Sequence, residues 1–250
     1  MKSTSMVRNV CALVTAATIA GLSNILLAAE TAPPKSEVVW QQIGEAPGVV
    51  GMAAVKGKLF ATTKANKLEV CDPAVTPVIW KELGECPAGV VAMGVADGKL
   101  FASTSTRSGT LHLREAVDTA AAWQHIGHCW CCIGMAGTAA TPGKIYGAIV
   151  VNNGAAGIAE SIMVRTTATS DVPWTHVDRH PPVGILTFAE VAGKFYAATR
   201  EDNLFVGDVT QTDVRWKAIG DAAGVTILAG GDGKLFATTK TGKLLMWQPK

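Results

Sequence analysis

Apolar and polar positions along this chain recur with a long period. The phrase Gly-Lys-Leu-Phe-Ala-Thr-Thr stands at Gly57–Thr63 and again, letter for letter, at Gly233–Thr239. Near-copies begin at Gly98, Gly143 and Gly193. Five copies spaced by about 40 to 50 residues mark a repeat architecture. Three other phrases travel with each copy. A Trp strand comes first: Trp40–Gly44, Trp80–Gly84, Trp123–Gly127, Trp174–Asp178 and Trp216–Gly220. An apolar run follows at Val49–Val55, Val90–Ala96, Cys132–Thr138, Ile185–Val191 and Val225–Gly231. After the Gly-Lys phrase comes a short alternating segment at Lys67–Val70, Thr110–Arg114, Ser161–Arg165, Asn203–Val206 and Lys243–Trp247.

Apolar runs this short, separated by Gly or charged residues, predict strands rather than helices. Four short strands per repeat make a blade of a β-propeller. The expected fold is therefore all-β, a five-bladed propeller over residues 38–250. The phase of the repeat also predicts how it closes. The chain enters the repeats on a Trp strand at 38–43 and leaves after a fourth-phrase strand at Trp247. The last repeat thus lacks its outer strand and the first has one to spare, so pairing them removes two open edges. An open β-solenoid is the rival, but its repeats are usually shorter.

Trp-x-x-Ile-Gly, then an apolar strand, then Gly-x-Leu-Phe or Gly-x-Ile-Tyr resembles the repeats of the tectonin and tachylectin-2 propellers. The resemblance spans about residues 38–248 and rests on core and turn residues. It implies sugar binding through loops between blades. The Gly-Gly-Trp that follows Ile-Gly in the tachylectin type is absent here.

Charge adds a constraint. The net charge is +2, and setting aside Lys2 and Arg8 leaves 20 basic against 20 acidic residues. No clustered basic surface is visible, so a nucleic-acid partner is not expected. Residues 1–29 read as a signal peptide: Lys2 and Arg8, an apolar run from Val10, then Ala28-Ala29. Cleavage near Ala29 is expected, with an uncleaved anchor as the alternative. Residues 30–37, containing Pro33-Pro34, read as a flexible lead-in. The expected location is secreted or periplasmic, without a membrane span after signal removal.

In a repeat protein, departures from the common pattern point to function. The loop after the Trp strand carries His128, Cys129, Trp130, Cys131 and Cys132 in the third repeat, and Arg179 and His180 in the fourth. The loop after the Gly-Lys strand is longest in the third repeat, from Val150 to Glu160, and carries Arg200, Asp202 and Asn203 in the fourth. Both loops are expected on one rim. The candidate ligand-binding set is His128, Trp130, Asn152, Asn153, Arg179, His180, Arg200, Asp202 and Asn203, with drift in unconstrained loops as the alternative.

The cysteines admit three readings. A disulfide framework would involve Cys86, Cys129, Cys131 and Cys132, with Cys86–Cys129 bridging adjacent blades or Cys131–Cys132 forming a vicinal pair. A metal site would use His128, Cys129, Cys131 and Cys132. Otherwise they are buried apolar residues. His112, His125 and His176 lie on strands at positions that vary between repeats and read as surface or half-buried residues.

No nucleophile turn, phosphate loop or dinucleotide fingerprint is present, and the acids are scattered. The expectation is an exported, non-enzymatic binding module without a cofactor, recognising a glycan in the manner of a lectin. An envelope protein partner bound to a scaffold is the alternative, and a hydrolase the weaker third.

Overall fold

Four of the five Gly-Lys phrases open on a two-residue turn that dictates the glycine. Lys56-Gly57, Asp97-Gly98, Ala192-Gly193 and Asp232-Gly233 all have positive φ at both positions, from 51° to 82°. This is the type I′ hairpin turn, whose twist matches that of the flanking strands. The turn fixes the register of the apolar run against the Gly-Lys strand, as in Val55↔Lys58 and Val191↔Lys194.

The computed structural model describes residues 38–105, 109–117, 119–129, 132–152, 158–178, 181–208, 214–222 and 224–249. The expected signal peptide 1–29 and lead-in 30–37 lie outside them. Strand β1 spans Gln41–Glu45. Blade I then holds β2 (Val49–Val55), β3 (Lys58–Thr63), β4 (Lys67–Cys71) and β5 (Lys81–Glu85). Blade II holds β6 (Val90–Ala96), β7 (Lys99–Thr104), β8 (Thr110–Glu115) and β9 (Gln124–His128). Blade III holds β10 (Cys132–Gly137), β11 (Lys144–Asn152), β12 (Ile158–Thr166) and β13 (Thr175–Asp178). Blade IV holds β14 (Ile185–Val191), β15 (Lys194–Thr199), β16 (Asn203–Asp208) and β17 (Lys217–Asp221). Blade V holds β18 (Val225–Gly231), β19 (Lys234–Thr239) and β20 (Lys243–Trp247), and its fourth strand is β1.

The protein is thus a five-bladed β-propeller of antiparallel four-stranded sheets, with no helix among the described residues. The inner strands β2, β6, β10, β14 and β18 pack side by side around the ring, and β18 meets β2. Closure is as the phase of the repeat predicts: β1 pairs with β20, Gln41 opposite Met246 and Glu45 opposite Lys243.

Five apolar clusters hold the ring, one between each pair of neighbouring blades. Phe60, Phe101, Phe188 and Phe195 from the repeated phrases are at most 2% exposed. Burying each contributes roughly 1.5–3 kcal/mol relative to exposure. The Trp that precedes each outer strand packs into the cluster shared with the preceding blade. Its indole N–H then reaches the last residue of that blade's outer strand. Trp80 donates to the Glu45 carbonyl at 2.8 Å, Trp174 to the His128 carbonyl at 2.9 Å and Trp40 to the Asp221 carbonyl at 3.3 Å. Trp216 donates to the Asp178 carboxylate at 2.7 Å. Trp123 breaks the pattern, because its indole nitrogen is buried with no hydrogen-bond partner.

The stretch expected as the long third-repeat loop is largely strand. β11 and β12 pair along their whole length, from Lys144↔Thr166 to Asn152↔Ile158.

Candidate functional site

The loop that joins two blades and the turn between the middle strands share one rim, and hydrogen bonds tie them together. Ala46 N–H donates to the Gly242 carbonyl, Cys86 to Asn66, Cys129 to Gly109 and Ala222 to Asp202. Each acceptor has positive φ: 79°, 57°, 40° and 58°. This accounts for three fourth-repeat candidates. Asp202 occupies the left-handed turn position that Asn66 and Gly242 occupy elsewhere. Asn203 donates its N–H to the Thr199 hydroxyl, as Lys67 does to Thr63 and Lys243 to Thr239. Arg200 N–H binds the Gly184 carbonyl, as Lys64 N–H binds Gly48. All three thus serve the hairpin through their backbones.

The same register corrects the disulfide expectation. Cys86 and Cys129 stand where Ala46 and Ala222 stand in other blades, and all four are buried. Cys86 packs in the cluster between blades I and II, Cys129 in the one between blades II and III. No disulfide is present among the described residues, and Cys71, Cys86, Cys129 and Cys132 are buried thiols. Burial pushes the Cys86 thiol up to about 11 and the Cys71 thiol up to about 12, which keeps both unreactive at neutral pH. Cys132, 1% exposed, turns its thiol onto the Gly134 carbonyl at 3.2 Å. No cluster of three metal ligands in binding geometry occurs among the described residues, so the set His128, Cys129 and Cys132 is not assembled as a metal site.

Trp130, Cys131, Asn153, Arg179 and His180 lie outside the described residues. Asn152 ends β11. Glu160, an acid of the expected long loop, uses one carboxylate oxygen to accept from Gly184 N–H at 2.8 Å and Ile185 N–H at 3.3 Å. It therefore caps the entry to blade IV. A cavity of about 330 Å³ on this rim lies between blades V and I, bordered by Gly48, Lys64, Thr239 and Lys240.

A second cavity lies elsewhere, on the outer wall between blades II and III. It measures about 400 Å³ and its apolar wall is formed by Ile149, Met163, Val172, Pro173 and Trp174. Its polar groups are His128, Asp171 and His176. The groove is built from below. Arg165, 3% exposed, donates to the carbonyls of Thr166, Ala168 and Ser170 and sits 5.9 Å from the Trp174 ring centroid. It thereby holds the turn that presents Asp171 and Trp174. Asp171 accepts the His128 backbone N–H at 3.3 Å. Gly127 makes room for that contact. Its φ is +127°, and a Cβ there would overlap the Asp171 carboxylate. Of the expected candidates among the described residues, His128 belongs to this groove. Ile149, Met163, Trp174 and His176 belong to phrases that recur in every blade and so carry no distinguishing signal, and Asp171 lies between two such phrases.

His128 also belongs to a row of imidazoles. The ring centroids of His112 and His125 are 5.5 Å apart, and those of His125 and His128 are 5.9 Å apart, both pairs edge to face. Burial, and then the nearby His125, hold the His112 imidazole below its usual pKa.

No protein-family model matches the chain, and no curated protein matches its sequence. Solved structures do match its fold. A glutaminyl cyclase from Myxococcus xanthus is similar over 84% of this chain and 95% of its own, with a TM-score of 0.56 and 15% identity. A chain of a nidogen/laminin complex is similar over 77% of this chain and 72% of its own, with a TM-score of 0.53 and 8% identity. The structure of YjhT is similar over 78% and 73%, with a TM-score of 0.50 and 15% identity. At these identities the likeness is one of fold.

Proposed function

We propose that this chain is an exported binding protein of the tectonin and tachylectin-2 kind. It holds a carbohydrate in the groove between blades II and III without transforming it. The observation that supports this most is the composition of that groove. An apolar wall containing Trp174 stands opposite a few polar groups, His128, Asp171 and His176. That pairing suits the apolar face and the hydroxyl edge of a sugar ring. The equivalent places differ from blade to blade. By strand register, Glu45, Glu69 and Glu82 hold the corresponding positions beside Trp80, and Asp221, Leu245 and Gln42 those beside Trp40. The groove thus differs from its counterparts at Trp80 and Trp40. The neighbours include both a cyclase and a chain of a protein complex, so the fold itself favours neither catalysis nor assembly.

A glycan array on the purified protein tests the reading, with an exposed groove residue changed in parallel. Selective binding that falls about tenfold or more in Asp171→Ala or His176→Ala is the expected result. A blank array with folded protein overturns it. The runner-up is then a protein partner, favoured by Val39 and Ile79. Each precedes an outer-strand Trp and is 77% or 72% exposed.

A further inference from the structure

We propose that a cavity between blades IV and V binds a small aromatic carboxylate. It shares no residue with the groove beside Trp174, so the proposal does not rest on the carbohydrate reading.

The cavity measures about 460 Å³. Tyr196, Val206, Ile219 and Trp247 form its apolar wall, and Lys194 and Lys217 are its cations. A mainly apolar lining with a few polar groups is the usual make-up of a small-molecule site.

Two of these residues depart from the repeat. Tyr196 stands where Phe60, Phe101 and Phe236 stand in blades I, II and V. It is 4% exposed, and its hydroxyl has no hydrogen-bond partner among the described residues. Tyr146, in the same place in blade III, meets the Thr141 hydroxyl at 3.0 Å. Blade IV has the two-residue turn Ala192-Gly193 there, which carries no hydroxyl. A largely buried polar group without a partner needs an explanation. Tyr196 lines the cavity, so a ligand there can supply the partner. Trp247 is the second departure. The same register position holds Cys71, Arg114, Arg165 and Gly207 in the other blades. Its ring stands edge to face with Tyr196 at 5.9 Å and with Trp40 at 6.2 Å between centroids. A flat ring in the cavity extends this aromatic set.

The charges select an acid. In blades I and II the lysine of the Gly-Lys phrase is neutralised, Lys58 by Asp72 at 3.1 Å and Lys99 by Glu115 at 3.3 Å. Lys194 stands opposite Asp208 in the register, yet no ion pair joins these two described residues. Lys217 brings a second ammonium to the same opening. Burial, and then the charge of Glu190, hold the Tyr196 phenol above its usual pKa, so it is a donor at neutral pH. A hydroxyl donor and two ammonium groups beside an aromatic wall complement a carboxylate carried on an aromatic ring.

The test is a calorimetric titration of the full chain with benzoate, naphthoate and indoleacetate, and with the uncharged amide of each. Saturable uptake of at least one acid is expected, with its amide bound about tenfold more weakly or not at all. Tyr196→Phe installs the residue of three other blades, and Lys194→Gln changes an exposed side chain. Each is expected to weaken uptake about tenfold, with thermal denaturation reporting that both are folded. Asp171→Ala is expected to leave it unchanged. Absence of saturable uptake of all three acids overturns the proposal, as does equal affinity for acid and amide or wild-type affinity in the folded Tyr196→Phe protein. Uptake that survives Tyr196→Phe and is lost in Asp171→Ala assigns the acid to the groove beside Trp174 and also overturns it.

Discussion

The indole nitrogen of Trp174 donates to the carbonyl of His128 at 2.9 Å, tying the wall of the outer groove to the imidazole at its lip. Trp174→Phe keeps the apolar face and removes the donor. The expected loss of stability is about 0.5–1.5 kcal/mol, read from urea denaturation. Any affinity for a groove ligand falls with it, because the strand that carries His128 loses one of its anchors.

Trp123 and Trp80 hold the same place in neighbouring blades, yet only Trp80 has an acceptor for its N–H. An unpaired buried donor carries a desolvation cost without a return. Trp80→Phe should therefore destabilise by about 1 kcal/mol, whereas Trp123→Phe should leave stability equal or higher. Opposite behaviour of the two variants in parallel denaturation curves checks the assignment.

Cys86 and Cys129 fill positions where other blades use alanine. Cys86→Ala is expected to cost no more than about 1 kcal/mol. A reductant is expected to leave the wild-type melting curve unchanged. A bridge would show instead as a loss of about 2–4 kcal/mol on reduction.

Asp97 joins two blades near the lower turns. Its carboxylate accepts from Gly143 N–H at 3.0 Å and from the Thr167 hydroxyl at 2.7 Å. These bonds, the Gly143 bond first, hold its acid below the usual carboxylate range. A folded-state value below the unfolded one contributes stability above the unfolded value of about 3.9, and that contribution is lost as pH falls through the folded value. Asp97→Asn should be less stable than the wild type at neutral pH and should lose less on acidification below pH 4. Denaturation midpoints at neutral and acid pH measure both.

The fold was legible because the residues that build it repeat. Gly57, Gly98, Gly193 and Gly233 each occupy the second position of a type I′ turn, and Phe60 and Phe101 each fill a gap between blades. A recurring cause leaves a recurring letter. The site was less legible for the same reason. Trp174 reads as one of five core tryptophans, and its role in a groove depends on its neighbours from other strands. The imidazole row was hidden by a register shift between β8 and β9, since spacing along β9 alone puts His125 and His128 on opposite faces. Asp202 carries a second cause in the same letter. An acid on a rim suggests a ligand, and its 58° φ gives it a turn role as well, which the sequence does not separate from the first.

The sharing of blade V between β1 and β20 sets a clock on synthesis. Among the described strands β1 is made first and β20 last, 202 residues of sequence separating Gln41 from Lys243 being the whole remaining ring. A nascent chain can fold blades I to IV as they emerge, yet β1 has no partner until the final strand arrives. Every chain released early therefore displays two unsatisfied strand edges, one at each end, and is open to aggregation or proteolysis. Only a chain that has reached β20 hides both, so closure couples the first described strand to the last.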